Sequence, residues 1–166
     1  MAEKKEYKVL LQDIIPDQIF LKSQLELIKE YPGIEKSGAG LRDMAYDIQI
    51  QDGFNIPSSI HQVTLVILMK IKYDKQEIHV ASVGSTFLFK VDELKDFVEE
   101  DVVKLPRKYR VTNFSICLST MRGILFEKLF PTYLNKIVFP IIPMSTVEAM
   151  AKDREIKDKE RANQNN

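Results

Sequence analysis

The stretch "QVTLVILMKIKYDKQEIHVASVGSTFLFKV", Gln62 to Val91, decides the fold. Val63, Leu65, Ile67, Met69, Ile71 and Tyr73 fall on every second position. That is the period of a β-strand, whose side chains alternate between two faces. The other face (Thr64, Val66, Leu68, Lys70 and Lys72) is apolar in its middle. Asp74 to Gln76 read as a short turn, and Glu77–Val91 as a second strand with apolar residues on both faces. Gly84 is expected to mark a bulge or bend there. Upstream, "DMAYDIQIQ" puts Met44, Tyr46, Ile48 and Ile50 on one face and Ala45, Asp47, Gln49 and Gln51 on the other. These segments predict an antiparallel meander.

Val66, Leu68, Ala81 and Val83 are poorly placed for water. Each fully exposed Val or Leu forgoes about 1.5–3 kcal/mol of burial. Several together approach the roughly 5–15 kcal/mol net stability of a domain. Both sheet faces therefore need cover: a helix on one, and a subunit or ligand on the other. A bent sheet wrapped by its own loops is the alternative.

Working outward, Tyr7 to Leu11 and Ile19 to Leu21 read as extended, with Pro16 a turn or bulge between them. "LELIKEYPGIEKSGAG" opens with a possible helical turn; Pro32, Gly33, Gly38 and Gly40 make Tyr31 to Gly40 a loop in a long crossover. "VDELKDFVEEDVVKLP" reads as an acidic, partly helical, solvated connector ending at Pro106. "RKYRVTNFSICLSTMRGILFEK" is the clearest helix: Val111, Phe114, Leu118, Met121 and Leu125 recur at helical spacing, widened by Cys117 and Ile124. A second stripe, Thr112, Ile116, Ser119, Gly123 and Phe126, is made largely of small residues. It suits close approach of another helix, from a second copy of the chain. Gly123 as a kink or helix end is an equal alternative. Beyond Pro131, Pro140 and Pro143 force an extended course on Phe139 and Ile142. Ser145 or Thr146 then caps a last helix near Val147. Residues 1–151 read as one domain; 152–166, charged and then Asn-rich, continue that helix and fray into a disordered tail.

The chain has 166 residues, with 24 basic and 24 acidic side chains. Zero formal charge argues against an electrostatically driven nucleic-acid binder. No signal peptide or membrane-length apolar run is visible, so a soluble cytoplasmic protein is expected. Cys117 is the lone cysteine, which excludes an internal disulfide. It lies on the apolar stripe and reads as buried and structural. His61 and His79 lack paired ligand spacing, so no metal or cofactor is expected. "GAG" at Gly38 to Gly40 lacks the setting of a phosphate loop. Glu99, Glu100 and Asp101 are adjacent and splay apart, and Asp13 and Asp17 flank a proline turn. No catalytic constellation emerges, and an enzyme is not expected.

The order of these segments resembles the SecB protein-export chaperone family. "QEIHVASVGSTFLFKVDEL" is similar to that family's last strand. "STMRGILFEKLFPTYLNKIVFPIIPMSTVEAM" is similar to its helix, Arg-Gly step, extended loop and final helix, with Arg122-Gly123 and "IIPMSTVEAM" the most specific pieces. The resemblance covers most of residues 7 to 150. It implies an α+β fold: a four-stranded antiparallel Greek-key sheet with a long helix and a C-terminal helix packed on it, assembled as a homotetramer, a dimer of dimers. It also implies an ATP-independent holdase for unfolded polypeptides, linked to export through the SecA motor ATPase. The implied client surface is Leu25, Ile28, Tyr31 and Ile34 in the crossover, with Tyr46, Ile48, Phe139 and Ile142. The small-residue helix face is the implied subunit contact. Family members that hand clients to SecA carry acidic residues on the outer sheet face. Asp17 matches one such position, whereas Ser82 and Leu21 stand at two others. Some SecB-like proteins instead protect antitoxins, which makes a module with one dedicated partner the second reading.

Overall fold

A computed structural model of the chain describes residues 8–34, 44–99 and 102–164. Tyr7, the Gly38–Gly40 run, Glu100 and Asp101 lie outside them. The fold is α+β. Its elements run β1 (Val9–Leu21), α1 (Gln24–Glu30), β2 (Met44–Asn55), β3 (Ile60–Tyr73), β4 (Gln76–Val91), β5 (Val98–Glu99), β6 (Val102–Val103), α2 (Arg107–Leu129) and α3 (Met144–Gln164). The main sheet is four-stranded and antiparallel in the order β1-β4-β3-β2. The meander β2–β3–β4 is thus extended by the first strand, which reaches β4 through the crossover.

Asp74 and Lys75 join β3 to β4 with φ of 45° and 64°. Two central residues of positive φ match the twist of the strands they connect. β1 runs unbroken through Pro16, with register shifts at Leu11/Asp13 and at Pro16/Ile19. The second shift is the irregularity that Pro16 foretold.

The bulge in β4 falls elsewhere than expected. Register slips between Met69↔Ala81 and Lys70↔His79, leaving Val80 as the extra residue. Gly84 pairs regularly with Val66. It is glycine for want of space: a Cβ there would lie 3.3 Å from Asp17 Cβ and 3.4 Å from Val66 Cγ2. The bulge also resolves the two-sided apolar pattern. Val80, Ala81 and Val83 are all buried, and Ala81 and Val83 share the inner face with their partners Met69 and Ile67. Val66 and Leu68 remain half-buried on the outer face, near exposed Ile15 and Phe20 of β1. There Thr64 and Thr86 hydroxyls meet at 2.9 Å, and Thr86 donates to Asp17 Oδ2 at 2.8 Å.

On the inner face, Val63, Leu65, Ile67, Met69, Phe87 and Phe89 form one core with Phe114, Cys117, Met121 and Leu125 of α2. α3 adds Val147 and Ala151. The acidic connector is not merely solvated: it carries a 3₁₀ turn (Leu94–Phe97) and the β5–β6 pair. Leu94, Val103 and Leu105 join Val91 in a second, smaller core.

One helix boundary differs from expectation. α3 starts at Met144, where the Pro143 carbonyl accepts from the backbone N–H of Thr146 and Val147. A backbone acceptor thus replaces the expected hydroxyl cap. α3 then runs through the charged segment to Gln164, because Arg154, Glu155 and Asp158 are tied to distant partners. Gly123 does not end α2, which continues to Leu129.

Candidate functional site

A cleft of about 140 Å³ opens between α2, the prolyl segment and the first turn of α3. Leu118, Phe139, Ile142 and Val147 supply its apolar wall, and Ser115, Ser119 and Arg122 its polar rim. Arg122 Nε donates to the Phe139 carbonyl at 3.2 Å, pinning the extended segment to α2. Pro140 and Pro143 keep that segment out of a helix. The result exposes Val138, Ile141 and Met144 (71%, 76% and 56%) beside the cleft. Small-molecule pockets typically begin near 300 Å³. This cleft is sized for a single side chain of a longer ligand.

The crossover is anchored at the β3–β4 turn. Ser23 caps α1 reciprocally: its Oγ accepts from the Glu26 N–H at 3.2 Å, and its own N–H donates to Glu26 Oε2 at 2.7 Å. This capping box was visible in "SQLE" and unread. Tyr31 lies edge-on to Tyr73 at 6.3 Å, and the Tyr73 hydroxyl donates to the Pro32 carbonyl at 2.8 Å. The Tyr133 hydroxyl donates to the Lys22 carbonyl at 2.9 Å, and burial pushes its pKa up to about 12.

Seven of the eight residues assigned to a client surface join the main apolar cluster. Ile34 and Phe139 are buried in it; Ile28, Tyr31, Tyr46, Ile48 and Ile142 pack half-buried against it. Tyr46 meets Phe139 edge-on at 5.1 Å, joining β2 to the cleft wall. Only Phe139 and Ile142 line the cleft itself. Leu25 stands apart, 79% exposed on α1. On α2, Thr112, Ser119, Gly123 and Phe126 are exposed and Ile116 half-buried, and among the described residues nothing beyond its own helix backbone and chain neighbours lies within 4 Å of a Cβ placed at Gly123. Ser119 belongs both to that face and to the cleft rim.

A charged cluster was missed in the sequence. Asp52, its side chain 1% exposed, accepts from Arg110 Nε at 3.0 Å, Arg154 Nε at 2.7 Å and His61 Nε2 at 3.2 Å. His61 is stacked on Phe54 at 4.7 Å, and its Nδ1 meets Asn113 Nδ2 at 2.8 Å. Arg110 also pairs with Asp158. Burial alone would push the Asp52 carboxyl up. The His61 hydrogen bond and the two guanidiniums outweigh it and hold Asp52 well below the carboxylate range. Burial lowers the His61 pKa against the pull of Asp52, so His61 is neutral. A signal existed: Asp52 occupies the inward row of Met44, Tyr46, Ile48 and Ile50, where an acid needs a partner.

Among the described residues, no group of three or more His, Cys, Asp or Glu could hold a metal, and no helix is long and apolar enough to cross a membrane. Cys117 is fully buried, and desolvation drives its thiol pKa up.

No family model matches the chain, and no curated protein matches it by sequence. Solved structures do. The SecB-like chaperone Rv1957 of Mycobacterium tuberculosis, in complex with a ChAD peptide from the Rv1956 HigA1 antitoxin, matches with a TM-score of 0.50 at 16% identity, over 81% of this chain and 90% of that one. A Streptococcus agalactiae protein of unknown function matches at TM-score 0.37 and 14% identity, over 84% of this chain and 100% of that one. The fold of this chain is SecB-like.

Proposed function

We propose that this chain is an ATP-independent, non-enzymatic chaperone that holds extended polypeptide on its apolar surface. The observation that carries this reading is the cleft with its exposed apolar border, Val138, Ile141 and Met144, set rigidly by two prolines and Arg122. An extended ligand would seat one side chain in the cleft and lie along that border, with the serines and Arg122 on its polar side. Such a surface favours apolar side chains at intervals over one fixed sequence.

Between the two client classes, a dedicated partner such as an antitoxin segment is the better supported. The SecB-like neighbour is bound to an antitoxin peptide. Of the positions that would meet SecA, Ser82 lies on the outer face opposite Phe20, Leu21 faces inward and packs against the main core, and Asp17 is engaged by Thr86. Coupling to protein export through SecA is the second reading. Assembly as a cytoplasmic homotetramer, through the exposed face of α2, completes the proposal.

Affinity capture from the native host separates the two classes. One partner dominating the eluate supports the dedicated reading. A broad set of unfolded precursors together with SecA supports export. Failure to retain any unfolded chain or peptide removes both.

A further inference from the structure

α3 is fastened to the body by charge as much as by apolar contact. Val147, Ala151 and Arg154 are its buried residues among those described. Ion pairs link Arg154 to Asp52 of β2, and Glu155 and Asp158 to Arg107 and Arg110 of α2. The same helix supplies Met144 and Val147 to the cleft wall.

We propose that the Asp52-centred cluster is an acid-sensitive latch: proton uptake by His61 releases α3 and opens the cleft that α3 helps to wall. The geometry commits both imidazole nitrogens of the neutral ring. Nε2–H donates to Asp52, and Nδ1 accepts from the Asn113 amide. The charged groups facing this ring are Asp52 from β2, Arg110 from α2, and Arg154 and Asp158 from α3; Phe54 and Phe89, of β2 and β4, wall it with apolar rings.

The four charges balance while His61 is neutral. A proton on Nδ1 sets donor against donor at Asn113 and adds a third cation to a cluster with two carboxylates. Turning the Asn113 amide would offer its Oδ1, a buried atom without a partner. That cures the hydrogen bond and leaves the excess charge. Excess charge at a dry site is costly. Lifting α3 admits water to the cluster and solvates it. Burial already disfavours the charged imidazole in the docked state, so the released state binds more protons and acid drives release.

The latch works in this way whatever the cleft binds, so its failure leaves the chaperone reading intact. Amide hydrogen exchange of the full chain, corrected for intrinsic rates, tests it at about pH 7.5 and about pH 5.5, either side of the imidazole range. The expected result is a loss of protection along α3 at the lower pH, with β3 and β4 unchanged. His61→Gln should flatten this difference. Equal α3 protection at both pH values overturns the latch. So does parallel loss in α3 and the sheet, which is global acid unfolding, or a pH response that persists in H61Q.

Discussion

The Asp52 carboxylate accepts a hydrogen bond from Arg154 Nε at 2.7 Å, joining residues 102 positions apart in the chain. With Arg110 and His61 on the same carboxylate, one side chain ties β2, β3, α2 and α3 together. Removing the Asp52 charge takes from Arg154 its carboxylate and leaves Arg110 with Asp158 alone, in a dry site. Breaking a buried pair from one side costs roughly 3–5 kcal/mol. Asp52→Asn should therefore lower the urea midpoint sharply, with an unchanged slope. A loss below about 1 kcal/mol, the scale of an exposed pair, would show that the cluster is solvated.

Stability should also depend on pH with a defined sign. Both cluster groups titrate below their ordinary values in the folded chain. For His61, the contribution is complete above its ordinary value of 6.5 and is lost as pH falls below it. For Asp52, it is complete above 3.8 and is lost on further acidification. Urea titrations should give a stability that is flat above neutrality and falls in two stages in acid. Stability rising between neutral and mildly acidic pH would contradict the assignment.

Cys117 supplies a clean probe of the core. It is buried between α2 and the sheet, and its thiol is held protonated. Since the thiolate is the nucleophile, native labelling by a maleimide should be slow and limited by opening. Full labelling within seconds of mixing the native protein would place Cys117 at the surface.

Gly123 distinguishes an exposed helix face from a subunit contact. In the lone chain, Gly123→Ala should stabilise α2 by roughly 0.5–1 kcal/mol, the helix penalty of glycine, because the new methyl meets none of the described residues outside its own helix. If a second copy packs on this face, Gly123→Leu should weaken the assembly while leaving the protomer folded. Light scattering and circular dichroism together read both. An oligomer whose mass is unaffected by Gly123→Leu would place the interface elsewhere.

How much of this was legible follows from where each signal sits. The meander was, because alternation in β2 and β3 is local and period-two patterning has one reading. So was α2, whose buried Phe114, Leu118, Met121 and Leu125 fall at helical spacing. The bulge at Val80 was not, since Val80 and Ala81 are both apolar and either can be the extra residue. The anchoring of α3 was hidden for a different reason: the partners of Glu155 and Asp158 lie 48 positions earlier, in α2. Of the site, the prolyl segment was readable from Pro140 and Pro143. Its polar rim needed the face of α2 that meets it, a tertiary fact. Ile34 went to the core, while Phe139 is buried in it and lines the cleft as well; hydrophobicity alone does not separate a groove wall from what lies beneath it.

The most direct test of the central claim is suppression of aggregation of a chemically unfolded model protein, without nucleotide, by the native chain and by Ile141→Asp. Ile141 is 76% exposed beside the cleft, so the variant should fold normally. The account predicts that the native chain holds the client soluble and that the variant holds it markedly less well. Aggregation proceeding unchanged with the native chain in excess would contradict it.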